Sequence, residues 1–182
     1  SPPLTPVVLE GGFDDIRHFL QDGRADIAIT YDVALEDGWT RIPLTTLPPY
    51  ALLPQEHPLS SRAQVDLQAL AEYPLVLADI PYSREYVEAL FAARGLAATV
   101  AHRPASFEMQ RSLVANGLGV ALTFTRPAGK LSYDGRPLVE IPMSSDIPGQ
   151  RIILIHRSGE GRVAQDLAPF IDLARDWFQG LG

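Results

Sequence analysis

The sequence predicts an α/β fold with a mostly parallel sheet, and three observations carry that prediction. Short apolar or β-branched runs alternate with helical patterns along the chain. Ser106–Pro127 shows the unit most fully: Ser106 as an N-cap, Met109, Leu113 and Val114 at helical spacing, Asn116-Gly117 as a stop, then a buried run Val120–Leu122 ending in Thr123-Phe124-Thr125. Third, Pro54 to Thr125 is a self-contained run of strand–helix units, and the flanking segments can build a second lobe from both chain ends. In open parallel sheets ligands bind outside the carboxyl ends of the strands, beside helix N-termini. A plain structural unit with no ligand is the alternative, and this stretch alone leaves both open.

In chain order, Val7–Glu10 reads as a short strand and Gly11-Gly12 as a turn. Phe13 to Asp22 reads as a helix with Ile16, Phe19 and Leu20 on one face, Asp14 and Asp15 at its positive end, and Gly23 as its stop. Asp26–Thr30 is the next strand, with Tyr31-Asp32 at its carboxyl end. Val33 to Pro48, with Trp39 and two prolines, reads as a loop and a short strand. Tyr50–Leu53 is an apolar run, Leu67–Ala71 a short helix and Pro74–Leu77 a buried strand. Ser83 is expected to cap a helix with the apolar face Val87, Leu90 and Phe91, ending at Gly95. Ala98–Ala101, Leu138–Ile141 and Ile152–Ile155 read as strands, and Tyr133-Asp134-Gly135 as a turn. From Val163, the residues Leu167, Phe170, Ile171, Ala174, Trp177 and Phe178 form one helical stripe expected to pack in the core. Pro169 predicts a kink or restart within it.

The chain has 182 residues, 46% of them hydrophobic, no cysteine and a formal net charge of −7. No apolar run approaches the ~20 residues that span a bilayer, so no membrane association is expected. The acidic balance and the lack of a basic patch with aromatics argue against nucleic-acid binding by these residues. Without cysteine there are no disulfides, thiolate metal sites or cysteine nucleophiles, which fits the cytoplasm.

No G-x-S-x-G, H-E-x-x-H or phosphate-loop motif occurs. Gly117-Leu-Gly119 ends a helix and is no dinucleotide fingerprint. The four histidines, His18, His57, His102 and His156, share no metal spacing, and the acid pairs Asp14-Asp15 and Glu36-Asp37 do not converge. No catalytic residue, metal ligand or cofactor is therefore expected. Ser83 and Ser106 each open a helix after a strand end and a proline-containing loop, so each start offers unpaired N–H groups to a small anion. Glu108 cuts against a simple anion pocket and suits an amine, a hydroxyl or a bridging water. Plain capping accounts for the serines equally well.

Taken together, VVLEGGFDDIRHFLQDGRADIAITYD (7–32), LLPQEHPLSSRAQVDLQALAEYPLVLAD (52–79) and SLVANGLGVAL (112–122) resemble, in order and spacing, the effector-binding domain of LysR-type transcriptional regulators. The resemblance covers nearly all of the chain, and its third motif is the most specific. It implies the fold of type II periplasmic binding proteins: two Rossmann-like lobes joined by two crossing strands, with an effector cleft between them. Residues 1–53 and 126–182 would form lobe I, its first strand falling before Ser1, and 54–125 lobe II. The implied effector contacts are Gly12, Phe13, Thr30, Tyr31 and Asp32 on one wall and Ile80, Pro81, Tyr82 and Ser83 on the other. Phe107, Glu108, Thr123 and Phe124 would close the middle. The implied function is sensing of a small-molecule effector by a homodimeric or homotetrameric regulator, with helices 13–22 and 83–94 as pairing faces. DNA would be read only by an N-terminal winged-helix domain that these residues do not include. A free-standing solute-binding protein of a transport system is the alternative. An enzyme on this fold is disfavoured by the lack of an identifiable nucleophile, metal site or acid–base pair.

Overall fold

The computed structural model describes residues 6–33, 37–158 and 161–180, except the side chains of 161–166 and 179. The chain divides into two compact units, Ser1–Thr46 with Arg151–Gly182, and Leu47–Gln150. The lobe boundaries read from sequence, 53/54 and 125/126, both lie between Leu47 and Gln150, the first within the strand Tyr50–Pro54 and the second between the two strands that pair with it.

In the first unit, helix α1 (Phe13–Gln21) starts at Gly12, whose N–H donates to the Asp15 carboxylate at 2.9 Å. Gly11 is needed beside it: a Cβ there would lie 2.5 Å from Asp15 Cβ. The helix stops at Gly23, φ +67°. It buries Leu20 against Ile153 and Ile155, with Ile16 alongside. Strands β1 (Ile27–Tyr31), β2 (Trp39–Leu47) and, from the far end of the chain, β8 (Gln150–Arg157) form a sheet in the order β1-β8-β2. β8 lies in the middle and is buried from Ile152 to His156, which explains its unbroken apolar run. β1 pairs with it antiparallel, Tyr31 opposite Ile152.

Three expectations for this unit are corrected. Val7–Glu10 is not a strand; Val7 and Val8 are 86% and 85% exposed, and β-branched residues make no strand without a partner ladder. The segment before Pro48 holds a nine-residue strand, β2, instead of a short one. Pro43 is tolerated because β2 is an edge strand, where a missing N–H can face water. Helix α5 (Gly161–Gln179) runs through Pro169 without a restart, and buried Ile171 and Ala174 hold it together past the proline. The stripe is only partly core, since Trp177 is 60% exposed. The side chain of Val163 and the residue Glu36 lie outside the described residues.

The second unit contains β3 (Tyr50–Pro54), a 3-10 turn (Pro58–Ser61), α2 (Leu67–Ala71), β4 (Leu75–Val76), α3 (Ser83–Ala92), β5 (Val100–His102), α4 (Phe107–Ala115), β6 (Ala121–Thr123) and β7 (Leu138–Pro142). β3 is central in the sheet β6-β3-β7. Its successive side chains alternate faces, and both faces are covered. Leu52 joins Val76, Val114 and Leu138, while Ala51 and Leu53 join Leu70, Val87 and Phe91. The mostly parallel sheet is corrected here too. β3 pairs antiparallel with β6 and with β7; β4 and β5 are parallel, as is the bridge Leu75–Val120. Alternating helices and strands do not say which older strand the returning chain joins, and β6 leaves β4 after one bridge to pair with β3.

Ser106 caps α4 as expected, its Oγ accepting from Met109 N–H at 3.2 Å. Ser83 does not cap α3. The N-cap is Tyr82, at φ +65° and with no side-chain capping bond, and Ser83 is the first helical residue. In α4 the buried face is also polar: Gln110 and Arg111 are buried and Met109 is 53% exposed. Gln110 Nε2 donates to Val76 O at 2.8 Å, which satisfies its buried amide.

Candidate functional site

The structure distributes the candidate residues over both units. In the first, Gly12 caps α1 and Phe13 opens it, its ring 6.3 Å from that of Tyr31. Thr30 is buried, and burial pushes the Tyr31 phenol above its ordinary pKa. Asp32 follows β1 with its carboxylate half-buried between two arginines, in contact with Arg151 and 3.7 Å from Arg41. Its N–H donates to Arg151 O at 3.0 Å. Asp32 is thus already a matched charge. Arg41 and Arg151 were invisible as site residues because only the pairing of β1 with β8 brings Arg151 beside Asp32.

In the second unit, two loops that precede helices run side by side: Leu77 N–H donates to His102 O at 3.0 Å and Asp79 N–H to Pro104 O at 2.7 Å. They carry Ile80–Ser83 into α3 and Ser106 into α4. Pro81 and Tyr82 are exposed, Ile80 and Ser83 half-buried. Arg84 bridges Asp79 and Glu85 across the start of α3. Phe107 is half-buried; Glu108 is exposed, its carboxylate 3.8 Å from Arg111 Nε. Thr123 and Phe124, adjacent in sequence, differ in their partners. Phe124 is buried edge-on against Tyr86 of α3, centroids 5.6 Å apart. Thr123 lies opposite Tyr50 in the β3–β6 ladder, and its Oγ1 donates to Thr125 O at 3.2 Å.

Sequence reasoning missed the charge chain around this group. Arg111 is buried, donating to Glu140 Oε1 at 3.2 Å and to the carbonyls of Gly129 and Leu131 at 2.8 and 3.2 Å. Arg126 Nε donates to Glu140 Oε2 at 3.0 Å while its guanidinium lies over the Tyr50 ring. The only signal was Glu108 three residues before Arg111, an ordinary helical spacing. Between α3 and β5 a pocket of ≈ 390 Å3, lined by Val87, Phe91, Leu96 and Val100, contains none of the candidate residues. Among the described residues no cluster of His, Cys, Asp or Glu could hold a metal, and no helix is long and apolar enough to cross a membrane.

The model of the LysR substrate binding domain matches residues 2–179. The chain belongs to that family. A LysR substrate binding domain of this kind is similar to a "Probable hydrogen peroxide-inducible genes activator" of Mycobacterium avium, 31% identical over 163 residues, covering 88% of this chain and 52% of the relative. The chain spans about half the length of such curated relatives. Among solved structures it is similar to HinK, a LysR family transcriptional regulator from Pseudomonas aeruginosa, with a TM-score of 0.86 and 29% identity over 93% of this chain and 59% of that one. It is also similar to the C-terminal domain of a probable LysR family transcriptional regulator from Rhodococcus sp. RHA1, with a TM-score of 0.82 and 34% identity over 90% and 82%. The periplasmic-binding-protein-like fold is that of these LysR effector-binding domains, and their proteins are transcription regulators, not solute-binding proteins of transport systems.

Proposed function

We propose that this LysR domain senses a small-molecule effector for a longer, cytoplasmic transcription regulator whose DNA reader lies outside these residues. The family match over nearly the whole chain is the observation that carries the reading. The effector contacts proposed are Gly12, Phe13, Thr30, Tyr31 and Asp32 in the first unit and Ile80–Ser83, Phe107, Glu108, Thr123 and Phe124 in the second. The BenM effector-binding domain binds benzoate and that of QuiR shikimate; at 21% and 18% identity they share the fold, and they support small organic molecules as the class to screen. The peroxide response in the M. avium relative's name is not carried over, because this chain has no thiol to oxidise.

A thermal-shift screen of small metabolites tests the reading. A ligand at about 100 times its Kd stabilises the domain by about 2.7 kcal/mol. Ser83→Ala and Thr30→Val, one in each unit, should each weaken the hit while leaving the urea midpoint nearly unchanged. A hit that survives both would move the site elsewhere. Self-association through α1 and α3 is part of the same proposal; Ala89→Asp, exposed on α3, should lower the mass seen by analytical ultracentrifugation.

A further inference from the structure

The pocket between α3 and β5 lies apart from the proposed effector contacts, and its walls are apolar except at one edge. Leu75 and Leu77, in and just after β4, line it from one side, and Val87 and Phe91, one turn apart on α3, from the other. All four are buried and belong to the core of the second unit, so the floor of the pocket is continuous with that core. Ala92 and Ala98 line it too, and their small side chains leave ≈ 390 Å3 unfilled. That volume is within the range of about 300–1,000 Å3 found for small-molecule sites. The polar edge is made by Glu88 and Arg103. Arg103 Nη2 donates to Glu88 Oε1 at 2.8 Å, and both side chains are nearly half exposed, so the pair sits where the pocket meets solvent. An ion pair so exposed adds little to stability. Among the described residues neither side chain has another ion pair or hydrogen bond. Whichever Nη2 proton Glu88 accepts, one two-donor edge of the guanidinium stays intact, and Glu88 Oε2 accepts nothing.

We propose that this pocket is a second ligand site, and that it takes an α-amino acid with an apolar side chain. The side chain enters the space between α3 and β5 and covers Val87, Phe91 and Val100. The carboxylate takes the intact edge of Arg103 with two parallel hydrogen bonds, and the ammonium donates to Glu88 Oε2. The Glu88–Arg103 pair stays in place and is neutral as a whole, and a zwitterion adds no net charge to it. A carboxylate or an amine of the same shape answers only one member of the pair and brings one unmatched charge. The site shares no residue with the proposed effector contacts, so it stands or falls independently of them.

The test is a calorimetric titration of the whole chain with leucine and with phenylalanine. Each is set beside analogues without the amino group (4-methylpentanoate, 3-phenylpropanoate) or without the carboxylate (3-methylbutylamine, 2-phenylethylamine), and beside glycine, which lacks the side chain. At least one of the two amino acids should bind, and its analogues and glycine about 10-fold more weakly or worse. Arg103→Gln and Glu88→Gln should each weaken that amino acid by about 10- to 100-fold, the loss of charged hydrogen bonds, with the urea midpoint nearly unchanged. Ala98→Leu fills the pocket and should abolish binding; if that variant does not fold, Ala92→Leu at the exposed rim makes the same test. Arg136→Gln, at an exposed ion pair elsewhere in the unit, should leave the titration unchanged. Analogues that bind as tightly as the amino acid would overturn the inference, and so would binding that survives both the filled pocket and Arg103→Gln. Binding by neither amino acid would overturn it as well; if Ala92→Leu then lowered the mass seen by analytical ultracentrifugation, the pocket would belong to a second copy of this chain. None of these outcomes decides the sensor reading, whose variants Ser83→Ala and Thr30→Val lie outside the pocket.

Discussion

Gly119 has φ +147°, and a methyl group added there would lie 2.4 Å from Pro74 O, in the backbone entering β4. Gly119→Ala therefore combines a left-handed backbone with a clash that only a shift of β4 can relieve, and should cost at least about 2 kcal/mol in urea denaturation. The glycine pair of GLGVAL thus has two separate causes: Gly117 ends α4 at φ +77°, and Gly119 lets the chain pass against β4. Ser106 and Ser83 behave differently for a similarly local reason. Ser106→Ala removes a capping bond and should cost about 1 kcal/mol, whereas Ser83→Ala removes none and should cost under about 0.5 kcal/mol. Both serines follow proline-containing loops, so the sequence did not distinguish them; Tyr82 at positive φ takes the capping position one residue early. Asp134 accepts from Ser132 Oγ at 2.6 Å and from Asn116 Nδ2 at 2.8 Å, which hold its pKa down at about 2, below the ordinary 3.8. A depressed carboxylate pKa contributes stability above pH 4 that is lost as pH falls through 2. Asp134→Asn should flatten that part of a plot of urea midpoint against pH.

Among the elements, α4 is held by polar anchors as much as by apolar packing. Replacing Arg111 by Met removes the partner of Glu140 and the donor to two carbonyls, an expected loss of about 3 kcal/mol, at the lower end for buried pairs because Arg126 remains beside Glu140. The double change Arg111→Met with Glu140→Leu should recover most of that loss, as equilibrium unfolding of the pair would show. This anchoring was illegible beforehand: the 3.6-residue pattern marks apolar positions, and it placed Met109 in the core where Gln110 and Arg111 belong. Patterns with a single reading were legible, namely α1, α2, α4 and the apolar runs that became β3 and β8. Strand partners were not, because period and composition are the same for parallel and antiparallel neighbours buried on both faces. β2 was read too short because of Pro43, whose tolerance depends on an edge position that no local window reveals.

Over the whole molecule, the apolar clusters around β3 are made only of residues between Leu47 and Gln150, so that unit has its own core. The segment 47–150 expressed alone should unfold cooperatively in urea, monitored by circular dichroism; a non-cooperative melt would refute its independence. The proposed effector contacts lie at strand ends and helix starts, positions the chain pattern marks. The charges around them were not legible, since Asp32 with Arg151 and Glu140 with Arg126 are partnerships between strands or loops distant in sequence. The sheet order β1-β8-β2 also sets a timetable for synthesis. β1 and β2 leave the ribosome early, but the strand that belongs between them is encoded after the whole of the second unit. At roughly 5–20 residues per second, the intervening hundred or so residues take about 5–20 s to make, and for that time both strands wait with bare hydrogen-bonding edges. The second unit can fold as it emerges. The first can close only once β8 has been made, so nascent chains stalled after Gln150 should be the form that chaperones hold.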